Sequence, residues 1–468
     1  MAGQTLFDKI WQRHRIPGAG DGDALLRIDH HFIHDLVAGP ALADLASRDR
    51  PVRHPESTFA TVDHAVPSAP GRNGDGAALG GRFVREMRRR SAAAGIRMFD
   101  IGKSGQGIVH VMAPELGLTL PGMIVVCGDS HTCTHGGLGA IAFGIGSTEV
   151  VHVLATQTLR QKCPRTMRIR VEGILGRGVS AKDLILHLIG KLGTAAGRGF
   201  AVEYSGSAIR AMDVEARLTI CNLSIELGAK IGLIAPDEVT FEYLAGREWA
   251  PKGADFERAV MDWRSLPSDS DAAFDIEHVC NTNEIAPQIT WGTSPEDVLA
   301  IDDNIPDPDR EPDSARKDHL RSALDYMGLT PGKPIAGTPI DWVFIGSCAN
   351  SRLSDLRQAA QIVNGRKVAR NVRAWVVPGS EMVKRAAQAE GLHEIFRRAG
   401  FEWREPGCSL CIAANGDSVG SGERCVSTSN RNFVGRQGIG ARTHLASPAT
   451  AAISALTGRI SDVRALMA

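Results

Sequence analysis

What most constrains the fold of this chain is a recurring unit: a short apolar run, a loop of glycines and polar residues, then an amphipathic stretch. "MIVVCGDS" (123–130) reads as a buried strand running into a loop, and "DWVFIGSCANSRLSDLRQAAQIVNGRKV" (341–368) as a strand, a tight loop and a helix. "VRAWVVPGS" (372–380) begins another such unit. Strands alternating with helices predict an α/β protein. "TMRIRVEG" (166–173) sets Met167, Ile169 and Val171 against Arg168, Arg170 and Glu172, the period of a half-exposed strand. The spacing predicts a helix over "STEVVHVLATQTLRQKCP" (147–164), capped by Ser147 and stopped by Pro164. Ser180 and Asp183 form a capping box for the helix that follows.

A length of 468 residues supports several cores. The stretch "IDDNIPDPDREPDSARKD" (301–318), rich in Asp and Pro, reads as an exposed linker. Three consecutive α/β domains are expected, over residues 1–165, 166–300 and 301–468. Lys+Arg and Asp+Glu tie at 53 each, so net charge offers no attraction for nucleic acid or an anionic membrane. The N-terminal segment lacks a signal-peptide pattern, and the richest apolar window is interrupted by glycines, a glutamate and a histidine. A cytoplasmic protein is expected.

Nine cysteines in a chain of this length do not make a disulfide scaffold. Cys408 and Cys411 form a C-x-x-C pair in "REPGCSLCIAANGD", with loop-forming residues on both sides. A thioredoxin-like pair would instead open a helix. A zinc site completed by Cys348 and Cys425 is a second reading, although structural zinc favours two close pairs. Buried, inert cysteines are a third. Cys348, in a loop that leads into a helix, stands where backbone N–H groups favour a thiolate. Cys348, Cys408 and Cys411 could hold three corners of an iron–sulfur cube, leaving the fourth iron for an oxygen of a substrate.

The other dense region is "GDSHTCTHGGLGAIAFGIGSTEV" (128–150). Asp129, Ser130 and His131 leave a buried strand at its carboxyl end, where α/β proteins bind ligands. Asp63 and His64 in "TVDHAV" and His110 in "GQGIVHVMAPE" add carboxylate and imidazole, and Asn222 and Glu226 are spaced for one helix face. The glycines from Gly137 match a dinucleotide fingerprint, but they lie too far from the strand and no acidic residue follows at the required distance.

Taken together, "GDSHT", "GSCANSR", "PGCSLC" and "TSNRNFVGRQG" resemble the aconitase superfamily, and the similarity runs over essentially the whole chain. The resemblance implies three α/β domains around a cleft and a labile 4Fe–4S cluster on Cys348, Cys408 and Cys411, with one iron lacking a cysteine. It implies three acid–base pairs: Asp63 with His64, Asp129 with His110, and Glu226 with His131. Ser130, Asn222, Asn430, Arg431 and Arg436 match positions that contact substrate or the cluster's surroundings, and His34 matches a substrate contact more loosely. The implied activity is a hydro-lyase that interconverts 2- and 3-isopropylmalate through an enoic intermediate, in leucine biosynthesis. Citramalate or citraconate, homoaconitate, dimethylmalate and aconitate are the alternative substrates.

In the superfamily a serine base and substrate-binding arginines sit on a swivelling fourth domain. No segment after "LTGRISDVRALMA" supplies it, so a small partner subunit is expected to carry the base and part of the pocket. The family pattern has threonine where this chain has Ala349. Two readings of other kinds are an apo form that binds RNA, disfavoured by the neutral charge, and a pure electron carrier.

Overall fold

A computed structural model describes residues 3–18, 23–72, 80–413 and 415–466. Three parallel sheets organise it. The first runs Arg97–Phe99, Thr58–Thr61, His30–His34, Ile124–Cys127, Ile141–Gly144. The second runs Ile231–Ile234, Phe200–Ser205, Arg165–Glu172, Ile276–Asn281. The third runs Glu402–Trp403, Arg373–Val376, Trp342–Ile345, Arg424–Ser427, Arg442–Leu445. All neighbours within each sheet are parallel. The α/β class read from the alternating units is therefore present.

In the first and third sheets the earliest strand lies at the centre and later strands add to either side. The winding reverses beside that strand, which opens a crevice at the strands' carboxyl ends. His30–His34 and Ile124–Cys127 flank the crevice of the first sheet, and Trp342–Ile345 and Arg424–Ser427 that of the third. Asp129, Cys348 and Asn430 all follow such strand ends. Strands Ile124–Cys127 and Trp342–Ile345 are buried throughout, as their unbroken apolar runs require. In Arg165–Glu172 the alternation holds: Met167, Ile169 and Val171 are buried.

Helices Glu238–Leu244 and Ala254–Trp263 lie in sequence between the two edge strands of the second sheet, Ile231–Ile234 and Ile276–Asn281, yet Phe241, Leu244 and Trp263 belong to the core beneath the first sheet. The segment expected to be a linker is anchored, because Ile301 and Ile305 are buried in the core of the third sheet and a helix starts at Ser314.

Two local expectations are corrected. The helix beginning at Ser147 ends at Thr156, not at Pro164, and Gly146 rather than Ser147 is its cap. Gln157 turns the chain with φ +57°, and Thr158–Gln161 then pairs antiparallel with Ala24–Arg27. Asn222 and Glu226 do not share one regular helix face. The helix Val214–Asn222 tightens into a 3-10 turn over Leu223–Ile225, and this turn aims the two side chains at different partners. The Ser180–Asp183 capping box is present.

Candidate active site

The centre of the site is the Asp129 carboxylate. Its strand ends at Cys127, and the chain passes into a 3-10 segment, Ser130–Leu138, in which Asp129 caps the N–H of His131. Three imidazoles converge on this carboxylate. His64 Nε2 is 3.0 Å from Oδ2, while His110 Nε2 and His131 Nδ1 lie 3.3 and 3.4 Å from Oδ1. Each of the outer two histidines also has the carboxylate expected for it. His64 Nδ1 is 2.5 Å from Asp63, and His131 Nε2 is 3.1 Å from Glu226.

Burial and partners set the charges. Burial alone would raise Asp129, but the imidazoles of His110, His131 and His64 hold its carboxyl well below the usual carboxylate range. Burial opposes charge on His64 as well, yet Asp63 and Asp129 outweigh it and hold the ring well above an ordinary histidine. His131 is likewise raised against its burial by Asp129 and Glu226. His110 ends on the other side, because burial wins and its proton affinity falls. The site thus places two readily protonated imidazoles beside one held neutral.

The Ser130–Leu138 segment can lie this close to the second sheet because of its glycines. A Cβ on Gly136 would stand 1.7 Å from the carbonyl oxygen of Gly232, and one on Gly137 2.7 Å from the backbone nitrogen of Leu218. The apparent dinucleotide fingerprint is a packing surface between backbones.

The cysteines approach from the third sheet. Cys348 follows Trp342–Ile345, and Cys408 and Cys411 bracket a single 3-10 turn, Ser409–Cys411. Cys408 donates its N–H to the Asp63 carbonyl at 2.8 Å, which fastens the pair to the acid–base cluster. Cys348 precedes its helix, Leu353–Val363, by a loop and is not at the helix N-terminus. The expected dipole effect is accordingly absent, and burial pushes the Cys348 thiol up to about 12. Cys408 also rises, through burial and Asp63, whereas Arg436 and Ser347 pull Cys411 down against its burial. Ser347 and Ser409, next to Cys348 and Cys408, adopt φ of +79° and +46°, left-handed conformations that a non-glycine residue holds only under surrounding constraint.

All fifteen residues singled out from the sequence lie around this centre. Asn430 bridges two thiols, at 3.5 Å from Cys348 Sγ and 3.6 Å from Cys411 Sγ. Asn222 reaches Cys348 Sγ at 3.3 Å and contacts Asn430. Arg431 spans from Glu226, at 2.8 Å, to Ser130 Oγ, at 3.0 Å. His34 stacks on His64 with ring centroids 4.2 Å apart. Arg436 Nε is buried and has no hydrogen-bond partner among the described residues. Ala349 is wholly buried among apolar side chains, and its carbonyl accepts from Thr219 and Arg352. The other reading for Cys425 fails, since it is buried in a separate apolar group with Leu410 and Val419.

Several residues here were not read from the sequence. Asp35, fully buried, accepts from the N–H groups of His64 and Ala65 and so fixes the Asp63–His64 loop. Asp417 gathers Ser68, Ser409 and Arg404 behind the C-x-x-C turn. Lys182 donates to the carbonyls of Thr428 and Ser429, immediately before Asn430. For Asp35 and Lys182 the signal would have been a charged residue within an otherwise apolar helix, whereas Asp417 lies in a loop and carries no such signal.

The donor set fits a cluster better than one ion. Among the described residues His34, Asp35, Asp63 and His64 have ligand atoms all within 4.8 Å of one another; the three cysteines do not form such a group. A tetrahedral ion would draw its sulfur ligands closer than that, because zinc–sulfur bonds are about 2.3 Å. In the histidine–aspartate group Asp35, Asp63 and His64 are already engaged in hydrogen bonds of their own. Three buried thiols, amide groups directed at sulfur and an orphaned arginine Nε suit a larger sulfur-containing group with negative charge.

The aconitase family (aconitate hydratase) matches residues 8–458. The "3-isopropylmalate dehydratase large subunit 1" of Bradyrhizobium diazoefficiens is 62% identical over 464 residues, which cover 99% of this chain and 97% of that protein. With the match spanning nearly every residue and all three sheets, the chain belongs to the aconitase family.

Proposed function

We propose that this chain is the large subunit of a hydro-lyase that interconverts 2- and 3-isopropylmalate by dehydration and rehydration, in the cytoplasm, as a step of leucine biosynthesis. The observation that carries the substrate is the 62% identity, over 99% of the chain, to a protein named for that activity. The site supports the reaction class. Dehydration next to a carboxylate requires removal of a weakly acidic C–H proton and departure of hydroxide, a poor leaving group.

Cys348, Cys408 and Cys411 would hold a 4Fe–4S cluster, and when bound the cluster supplies a Lewis acid at its iron without a cysteine. His64, charged between Asp63 and Asp129, is placed to deliver a proton to the departing oxygen, help generally worth about 10²–10⁴-fold. Asp63 and Asp129 favour the charged ring and hold its hydrogens at defined nitrogens, and the proton returns to His64 from the water that adds in the rehydration step. Arg431, tied to Glu226 and Ser130, presents a fixed guanidinium for a substrate carboxylate, and Arg436 adds a second. The base for the C–H proton and the remainder of the pocket belong, on the family resemblance, to a small partner subunit.

The test is a substrate panel assayed with the chain, its small subunit and a rebuilt cluster. The isopropylmalates should turn over fastest, and the chain alone should show little activity. Preference for aconitate, homoaconitate, citramalate or dimethylmalate would overturn the assigned substrate, and full activity without a partner would overturn the subunit reading.

A further inference from the structure

Behind His110, on the side away from Asp129, lies a second fully buried imidazole. His110 Nδ1 is 3.1 Å from His135 Nε2, and His135 Nδ1 is 2.8 Å from Thr119 Oγ1. His135 is sealed on one face by Phe32, stacked at 5.4 Å between ring centroids. All three polar residues are essentially without solvent. The charged and titratable groups around the two rings are Asp129, Asp63 and His131, which act on His110, and Arg352, which acts on His135 and donates to the His110 carbonyl.

Proton assignment along this row starts from Asp129, whose Oδ1 lies 3.3 Å from His110 Nε2 without the alignment of a hydrogen bond. Asp129 is ionised, so the His110 nitrogen that faces it carries a hydrogen. His110 is neutral, so its other nitrogen is a lone pair and must receive a hydrogen bond. His135 Nε2 therefore donates, its Nδ1 accepts, and the Thr119 hydroxyl donates to it. Arg352 nearby and burial keep His135 from taking a second proton.

We propose that His135 is a positioning residue: with Thr119 it holds His110 in the tautomer that points its single ring hydrogen at Asp129 and the reaction centre. His110 can then exchange a proton only at Nε2, the atom facing the cleft. Without the donor, the Nδ1 lone pair becomes available, and His110 protonates more readily into a form with no function in the row.

The kinetic part of the test rests on the hydro-lyase reading, whereas the spectroscopic part does not. In the chain labelled with ¹⁵N-histidine, His110 should show a protonated Nε2 and an unprotonated, hydrogen-bonded Nδ1. Thr119→Val, which preserves shape, should perturb the His135 resonances and mix the His110 tautomers. In the holoenzyme with its partner, His135→Leu should lower kcat roughly 10- to 100-fold with KM within about twofold, and should move the acid limb of the pH profile upward. His135→Gln, whose amide can still donate to His110, should recover most of that loss. A His110 whose Nδ1 carries the hydrogen in the wild-type chain would overturn the proposal. An unchanged acid limb and unchanged His110 tautomer in folded Thr119→Val and His135→Leu would overturn it equally.

Discussion

Asn430 holds its side-chain amide against both Cys348 and Cys411, at 3.5 and 3.6 Å, while Ser347 and Asn222 contact the same amide. A side chain that touches two thiols from different strand ends is placed to fix their separation. Its N–H would also neutralise part of the charge the sulfurs carry when they bind iron. Asn430→Ala should assemble a cluster that is lost faster, by about tenfold or more, since hydrogen bonds to charged groups contribute roughly 1.5–3 kcal/mol. The decay of visible absorption in the presence of a chelator measures this. Asn430→Asp, which sets a carboxylate against thiolates, should be worse than Asn430→Ala.

The C-x-x-C turn depends on a buried ion pair. Arg404 Nη2 lies 2.8 Å from Asp417 Oδ1, with both side chains nearly excluded from water. Asp417→Ala should therefore lower stability by about 1–3 kcal/mol, the cost of leaving buried hydrogen-bonding groups unsatisfied, because Arg404 keeps its ion pair with Glu402. The melting temperature of the cluster-free chain should fall accordingly. Replacing Arg404 and Asp417 together by apolar residues should recover part of the loss.

His64 gives a pH signature with a definite sign. Its folded-state pKa is raised, because Asp63 and Asp129 outweigh burial. The stability this contributes is fully present below the unfolded histidine value and is lost as pH rises through the folded one. The melting-temperature deficit of His64→Gln relative to wild type should be largest near about pH 6 and shrink toward about pH 9, bracketing an ordinary histidine pKa of roughly 6.5. A deficit that grows with pH would mean that His64 is neutral in the fold.

Arg431 supplies a planar fork between Glu226 and Ser130. Arg431→Lys keeps the charge but loses two-point recognition, so it is not a conservative change. With substrate bound through that fork, kcat/KM should drop about 10²-fold, of the order expected for lost charge-assisted hydrogen bonds. Steady-state kinetics of the assembled enzyme check it.

How much of this could be read in the sequence depends on the distance over which a residue acts. Asp129, Ser130 and His131 were legible because a buried strand must end in a loop and this one ends in three reactive side chains. The strand before Cys348 was legible for the same reason. The shared position of the three cysteines beside Asp63 was carried by resemblance, since no local pattern joins Cys408 to Asp63. His135 was passed over: in "THGG" it looks like loop, and only the packing of Thr119 and His110 around it shows what it faces. The strand Thr158–Gln161 was hidden because "TLRQ" continues a helical pattern, and only its pairing with Ala24–Arg27 decides the matter. Left-handed backbone at Ser347 and Ser409 has no signal in residue type, because the surrounding site imposes it.

The most direct measurement is anaerobic iron and sulfide analysis of the reconstituted chain, with spectra recorded before and after an isopropylmalate is added. Three cysteines and one open iron predict about four irons and about four sulfides per chain, and a spectrum that shifts with substrate. Cys408→Ser should bind less iron and lose the shift. A single zinc ion, or a full cluster whose spectrum ignores substrate, would contradict the account.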